Sequence, residues 1–296
     1  MRKRSTNRVR KRRDGDRDAT TGRRAAYTVA LTALVLCGLG CVDAEPAPLR
    51  SSASAPREDA LVVFAATSLR EAFTAMGGTF ERDHPGVELT FNFAGTQQLR
   101  TQLEHGASAD VFASADRRQM GEVVQAALAS APVVFARNEP VVVVSRESAG
   151  ALRTFADLPS ATRLVIGTPE VPIGRYTLQL LDRASASLGA GFRARVEAQV
   201  VSRELDVRQV LTKVSLGEAD AGIVYRTDAN TALDRVTVVT IPPEFNVIAE
   251  YPLAVLTSAA HPRLAHAWVD FVLSSVGQQA LRHAGFLAPA GTGAAP

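Results

Sequence analysis

From residue 61 onward the chain alternates short apolar runs with amphipathic stretches, and this alternation restricts the folds open to it more than any other feature. Residues 61–66 (LVVFAA) have the length of a buried strand, and residues 87–93 (VELTFNF) alternate as a second strand. Each run is followed by a helical pattern of roughly ten residues, and a later strand is expected over residues 198–201 (AQVV). Such alternation indicates βαβ units with mostly parallel strands, so we expect an α/β fold.

At four strand-to-helix turns the helix begins with a hydroxyl, small or capping residue. The turns are residues 66–69 (ATSL), 94–97 (AGTQ), 171–174 (VPIG) and 205–208 (LDVR). Ligands of open α/β sheets bind beyond the carboxyl ends of the strands, and each helix N-terminus there offers unpaired N–H groups and partial positive charge. Converging turns would form an anion site without Lys or Arg. Helix capping alone also explains Ser68, and Asp206 with Gln209, so both interpretations stay open.

The first 42 residues differ in character from the rest. Residues 1–24 hold 11 Lys/Arg against three Asp, and residues 25–42 hold no charge. A basic region followed by an apolar stretch too short for a comfortable membrane span predicts a signal peptide over residues 1–42, with an uncleaved anchor as the alternative. Residues 43–60, rich in Ala, Ser, Pro and charge, are expected to form a flexible tether.

Both cysteines, Cys37 and Cys41, lie in this N-terminal segment. Residues 38–41 (GLGC) resemble a lipoprotein processing box, which makes Cys41 a candidate for lipid attachment. The alternative is that Cys41 is simply a small residue near an ordinary cleavage site. The sequence after Cys41 has no cysteine, so it holds no disulfide and no thiol nucleophile.

The rest of the chain disfavours two functional classes. Of 33 basic and 30 acidic residues, 22 and 27 lie beyond residue 24, a net charge of −5 that gives no pull toward nucleic acid. The five histidines show no His-Glu-x-x-His spacing, and neither a Gly-x-Ser-x-Gly elbow nor a phosphate-binding loop is present. We therefore expect a binding protein rather than an enzyme.

Five segments, in order and at matching spacing, resemble the molybdate-binding proteins of bacterial ABC importers. They are residues 63–69 (VFAATSL), 93–96 (FAGT), 109–116 (ADVFASAD), 171–176 (VPIGRY) and 216–229 (LGEADAGIVYRTDA). The resemblance implies a two-lobed periplasmic-binding-protein fold of type II, with mixed or parallel sheets and a ligand cleft between the lobes. It implies lobe one at residues 61–138 and 246–290 and lobe two at residues 139–245.

The same resemblance implies which residues hold the anion. By matching position, Ser68 and Thr96 would each give a hydroxyl, Ile173 and Val207 would act through backbone N–H, and Tyr225 would give its phenol. No cofactor and no directly bound metal is expected, since the metal arrives as the oxyanion. Thr96 stands where Ser is typical and Ile173 where a small residue is frequent, which leaves the anion preference open.

The function implied is capture of molybdate or tungstate outside the cytoplasm, by a periplasmic or lipid-anchored monomer that delivers it to a membrane permease. Sulfate or another tetrahedral oxyanion is the alternative ligand, and a sensor or adhesion module on this fold is a further alternative. Arg175 and Arg208 are expected to face solvent rather than to attract the anion, and Glu218 and Asp220 to lie in a surface turn.

Overall fold

The computed structural model describes residues 60–290 of the 296-residue chain. The predictions for the signal peptide (residues 1–42), for Cys41 and for most of the tether lie outside the described residues. Ala60, which we placed at the end of the tether, is the first residue of strand β1. Among residues 60–290 no helix combines the length and the apolar character needed to cross a membrane.

One five-stranded sheet, with the helices packed on it, forms lobe one. Its strand order is β2-β1-β3-β10-β4, in which β1 runs parallel to β2 and β3, and β10 runs antiparallel to β3 and β4. The strands are β1 (Ala60–Ala66), β2 (Glu88–Ala94), β3 (Val111–Ala113), β4 (Val133–Asn138) and β10 (Ala249–Val255). The helices are α1 (Arg70–Asp83), α2 (Thr96–Glu104), α3 (Arg117–Gln125), α8 (Pro262–Leu273) and α9 (Ser275–His283).

A second five-stranded sheet forms lobe two with the same pattern of strand directions. Its order is β7-β6-β8-β5-β9, in which β6 runs parallel to β7 and β8, and β5 runs antiparallel to β8 and β9. The strands are β5 (Pro140–Ser145), β6 (Leu164–Gly167), β7 (Val200–Glu204), β8 (Ala221–Tyr225) and β9 (Val236–Thr240). The helices are α4 (Pro172–Leu188), α5 (Phe192–Glu197), α6 (Val207–Ser215) and α7 (Arg226–Ala229).

The chain passes between the sheets twice. The first crossing is short, because β4 ends at Asn138 and β5 begins at Pro140. The second runs from Thr240, the end of β9, to Ala249, the start of β10. In each sheet the strand that enters from a crossing, β5 or β10, lies antiparallel between the third and the last strand. The parallel strands of both sheets lead at their carboxyl ends into helices, and residues at the starts of α2, α4 and α6 line one cavity.

Alternating strand residues bury both faces of the lobe-one sheet. Phe64 and Phe112 pack with the apolar side of α2 and α3, whereas Val63 points to the opposite face with α1 and α8. On that face Trp268 is fully buried and meets the ring of Phe73 edge-on at 5.5 Å. Burial of such aromatic area dominates the stability of a core, and it fixes the position of the helix that follows β1.

The prediction for β7 is wrong by several residues. We expected a strand over residues 198–201, but Ala198 is the C-cap of helix α5, its N–H bonded to the carbonyl of Ala194, and the strand runs Val200–Glu204. The apolar run that suggested the strand therefore begins in a helix terminus.

Candidate anion-binding site

A small cavity lies where strand ends and helix beginnings of the two lobes meet. The space in it that is open to the centre of a water-sized sphere is about 10 Å³, which leaves no room for a sugar or a peptide. All five residues predicted to bind the anion line this cavity. The lining residues are Ala66, Thr67, Ser68, Ala94, Gly95, Thr96, Ala115, Val171, Pro172, Ile173, Asp206, Val207 and Tyr225.

Ser68 does not cap the helix that follows it, so the capping interpretation of this residue is wrong. Residues Thr67–Leu69 form a short 3-10 turn, and α1 begins at Arg70 without a side-chain cap. The Ser68 side chain is buried, and its Oγ lies 2.9 Å from the Oη of Tyr251. The hydroxyl is therefore held at the cavity by a partner on β10 rather than by its own helix.

Thr96 is also buried at the cavity, as the first residue of α2. Its Oγ1 accepts a hydrogen bond from the N–H of Ala115 at 3.2 Å. Because the oxygen is used as an acceptor, the hydroxyl proton of Thr96 is left to donate to a ligand.

Two helices of lobe two begin at the cavity and present main-chain amides. Pro172 is the first residue of α4 and has no N–H, so the first amide of this helix belongs to Ile173. At α6 the carboxylate of Asp206 accepts from the N–H groups of Arg208 and Gln209 at 2.8 and 3.1 Å, which confirms it as a cap. The N–H of Val207 is not used by that cap, so it is available at the cavity wall.

Two glycines allow the helix ends to approach this closely. A Cβ on Gly174 would lie 2.0 Å from the carbonyl oxygen of Thr168, so α4 can pack against the end of β6 only with glycine here. A Cβ on Gly95 of lobe one would lie 2.4 Å from the carbonyl oxygen of Leu205 in lobe two. Glycine at residue 95 thus permits the two lobes to come together over the cavity.

Tyr225 ends β8, and its side chain is fully buried against the cavity. Its Oη has no hydrogen-bond partner among the described residues. Burial raises the pKa of Tyr225 well above its ordinary value near 10, so the phenol stays protonated. A buried hydroxyl without a partner is costly, and a ligand oxygen in the cavity would satisfy it.

Sequence reasoning missed Tyr251, which supports the site from behind Ser68. It is fully buried on β10, its Oη accepts from the Nδ2 of Asn138 at 3.4 Å, and its ring lies 5.7 Å from that of Tyr225. Burial raises the pKa of Tyr251 well above 10 as well. No signal in the sequence pairs it with Ser68, since 183 residues separate the two.

The expectation that Arg175 and Arg208 face solvent is wrong. Arg175 of α4 reaches across to lobe one, where its Nη2 lies 2.5 Å from Oδ2 of Asp116, a residue with no exposed surface. Arg208 of α6 contacts Glu71 of lobe one, and its Nε lies 2.7 Å from Oδ1 of Asp228. Both arginines are thus paired with carboxylates from the opposite lobe, and neither lines the cavity.

Acidic residues near the site are also paired. Asp206, the one acidic residue that lines the cavity in the described part of the chain, directs its carboxylate to its own helix. Asp220, which we expected in a surface turn, is buried and accepts from the N–H and hydroxyl of Thr162 and from Arg163. Burial would raise the pKa of Asp220, but these hydrogen bonds outweigh it and lower the pKa to about 2.

No metal centre accompanies the cavity. Within residues 60–290 no three His, Cys, Asp or Glu side chains are grouped so as to hold a metal ion. The chemistry available at the cavity is therefore hydrogen-bond donation from hydroxyls and main-chain amides of both lobes.

Comparisons with known proteins agree with this architecture. Residues 61–287 match the family model described as bacterial extracellular solute-binding protein. The molybdate-binding protein ModA of Mycobacterium tuberculosis (strain ATCC 25618 / H37Rv) is 40% identical over 267 residues, covering 88% of this chain and 97% of that protein. The resemblance drawn from the five segments is confirmed.

Solved structures give the same fold. The substrate-binding domain of a putative molybdenum ABC transporter from Clostridium difficile superposes with a TM-score of 0.60 at 26% identity, covering 78% of this chain and 99% of that one. The sulfate-binding protein SubI of Mycobacterium tuberculosis H37Rv gives 0.72 at 18% identity, covering 79% and 88%, and at that identity it shows the fold alone. The two-lobed type II fold and the assignment to a binding protein rather than an enzyme are confirmed. The chain belongs to the bacterial extracellular solute-binding protein family.

Proposed function

We propose that this protein captures molybdate or tungstate outside the cytoplasm and delivers it to the membrane permease of an ABC importer. The observation that carries the proposal is the donor set of one small cavity: hydroxyls of Ser68, Thr96 and Tyr225, with the amides of Ile173 and Val207. A desolvated dianion is stable only if nearly every oxygen accepts a hydrogen bond. These donors meet that need without a lysine or arginine in the wall.

Capture proceeds by closure of two lobes, with lobe one at residues 61–138 and 246–290 and lobe two at residues 139–245. Ser68 and Thr96 belong to strands and helices of lobe one, whereas Ile173, Val207 and Tyr225 belong to lobe two. An anion that contacts both sets is bound best when the lobes are closed, so binding shifts the population toward the closed form. That form is the one the permease recognises.

The choice among anions follows from size and protonation. Tungstate has nearly the size and charge of molybdate, so both are ligands. Sulfate is smaller and would stretch hydrogen bonds in a cradle set for the larger anion, which makes it the weaker alternative. Phosphate near neutral pH carries a proton, and that proton needs an acceptor in a cavity whose amides and hydroxyl protons serve as donors, so phosphate should bind more weakly.

The protein acts as a monomer at the outer face of the membrane or in the periplasm. A monomer suffices because one chain supplies donors from both lobes, with Ser68 and Thr96 on one side and Ile173, Val207 and Tyr225 on the other. Lipid attachment at Cys41 would hold the protein near the permease, and the lipoprotein-like box at residues 38–41 supports it. Mass spectrometry of the membrane fraction tests the anchor: a diacylated Cys41 is expected, and an N-terminus beyond Cys41 would rule the lipid out.

Titration calorimetry of the purified protein with molybdate, tungstate, sulfate and phosphate tests the function. We expect tight molybdate and tungstate binding, weaker sulfate binding and the weakest binding for phosphate. Ser68→Ala should cost about 1–3 kcal/mol of molybdate binding, because a charged acceptor loses a donor. Ser215→Ala is the matched control, since that hydroxyl bonds only carbonyls of its own helix. Absence of molybdate binding by the unaltered protein would refute the proposal.

A further inference from the structure

Ser68 is the first of three hydrogen-bonded polar side chains, a chain that ends at the crossing between the lobes. The Nδ2 of Asn138 faces Oη of Tyr251 at 3.4 Å, and that Oη lies 2.9 Å from Oγ of Ser68. All three residues are buried. In such surroundings each proton must find an acceptor, so the chain has a direction that can be worked out.

The direction is fixed at Asn138. Its Oδ1 accepts from the N–H of Glu139 at 2.9 Å, and its Nδ2 donates to Oγ1 of Thr227 at 2.8 Å. The amide therefore presents an N–H, not an oxygen, toward Tyr251. The hydroxyl proton of Tyr251 cannot be accepted there, and Oγ of Ser68 is its hydrogen-bond partner.

We propose that Tyr251 is a positioning residue that donates to Ser68 and so commits the Ser68 proton to the bound anion; this rests on the proposed function of the cavity. With one lone pair of Oγ taken by Tyr251, the proton of Ser68 is free to point at a ligand oxygen. The high pKa of Tyr251, raised by burial, keeps the phenol in the donor form. Because the hydrogen bonds from Asn138 to Tyr251 and from Tyr251 to Ser68 polarise one another, they strengthen the bond that Ser68 donates to the anion.

The consequence concerns which anions are accepted. Ser68 held as a donor serves an oxyanion without protons, such as molybdate, tungstate or sulfate. It opposes hydrogen phosphate, whose P–OH needs an acceptor in the cavity. Thr96, the other residue of lobe one expected to bind the anion through its hydroxyl, likewise accepts a bond at its oxygen, from the N–H of Ala115. Tyr251 is thus a determinant of selectivity that does not touch the ligand.

Tyr251→Phe tests this, because it removes the hydroxyl and keeps the ring that packs on Phe135 and Phe286. We expect molybdate and sulfate to bind about tenfold more weakly, the usual effect of losing a hydrogen bond that supports a charged acceptor. Hydrogen phosphate should lose nothing or gain, because Ser68 can then turn and accept. The ratio of sulfate to phosphate affinity at pH 8 should therefore fall, a change that a general loss of packing would not produce.

A double-mutant cycle with Ser68→Ala distinguishes an effect of Tyr251 that acts through Ser68 from a purely structural role of Tyr251. In the Ser68→Ala background, Tyr251→Phe should have no further effect on molybdate affinity. An equal loss in both backgrounds, or an unchanged sulfate-to-phosphate ratio, would overturn the inference. If the unaltered protein binds none of these anions, the proposed function is wrong and the inference falls with it; binding without coupling defeats the inference alone.

Neutron diffraction from the unaltered protein, crystallised with molybdate in heavy water, gives an answer even if Tyr251→Phe does not fold. We expect a deuteron on Oη of Tyr251 directed at Oγ of Ser68, and the Ser68 deuteron directed at the anion. A Ser68 deuteron directed at Tyr251 would overturn the inference.

Discussion

Removal of Arg175 should weaken anion binding although Arg175 does not line the cavity. Its guanidinium pairs with the carboxylate of Asp116, and the two residues lie on α4 of lobe two and at the start of α3 in lobe one. This ion pair joins the two lobes, so it forms only when the lobes are closed. It therefore stabilises the closed form that holds the anion, and its loss should appear in the binding constant.

The magnitude follows from the burial of the two partners. Asp116 is fully buried, and without Arg175 its carboxylate would keep only the hydrogen bond from the N–H of Gln119 at 2.7 Å. Breaking a fully buried ion pair costs about 3–5 kcal/mol, and a hydrogen bond to a charged group is worth about 1.5–3 kcal/mol. Because the side chain of Arg175 is 26% exposed, the lower range applies. We take about 2 kcal/mol, which weakens binding about thirtyfold.

Calorimetry and stopped-flow dissociation of molybdate from Arg175→Met measure the effect. We expect the loss to lie mainly in a faster dissociation rate, because the pair breaks as the lobes open. Arg118→Met is the matched control, since Arg118 pairs with Glu122 one turn along the same helix at 3.0 Å and is 52% exposed. Unchanged affinity in Arg175→Met, or an equal loss in the control, would refute the reasoning.

Two further predictions concern a buried carboxylate and a helix end. Burial raises the pKa of Asp228 to about 7 against the opposing effect of Arg208; since the neutral acid present below that pH does not repel a dianion, molybdate should bind more tightly at pH 6 than at pH 8. Titrations at both values should show no such dependence in Asp228→Asn, and a persistent slope would contradict the assignment. Gly174→Ala should lower both the unfolding temperature and the anion affinity, because its methyl group meets the carbonyl of Thr168. Gly121→Ala, in open space on α3, should instead stabilise the protein by about 0.5–1 kcal/mol, and equal effects of the two changes in thermal unfolding would exclude the steric cause.

Local patterns were sufficient to predict the turns that line the cavity. Strand length, helix periodicity and capping residues are properties of a few neighbouring positions, so residues 94–97 and 205–208 could be placed at strand-to-helix turns from the sequence. Their meeting in one cavity was an expectation from the family resemblance, and the structure brings all five candidates to its wall. Asp206 behaves as its local sequence indicates, as a helix cap.

Contacts between distant segments could not be predicted in this way. Ser68 and Glu71 have the spacing of a capping box, but neither side chain caps the helix. The hydroxyl of Ser68 is hydrogen-bonded to Tyr251, and the carboxylate of Glu71 pairs with Arg208 on the other lobe. The capping-box spacing favours a bond between Ser68 and its own helix, but the hydrogen bond to the buried Tyr251 forms instead. Asp220 was assigned to a surface turn for the same reason, because nothing near it in sequence shows that Thr162 and Arg163 bond its carboxylate.

The cations of the site stand outside the cavity wall, and this arrangement has a physical consequence. Arg175 and Arg208 are engaged by carboxylates, so the charge that an anion meets comes mainly from helix ends, while the arginines hold the lobes together. A wall lysine would attract any anion of suitable size, protonated or not. A hydroxyl whose oxygen already accepts a bond, as that of Thr96 does from the amide of Ala115, keeps its proton for the ligand, and such donors favour an oxyanion without protons. Selectivity in this cavity thus depends on the direction of a few hydrogen bonds, whereas affinity also depends on how firmly the lobes stay closed.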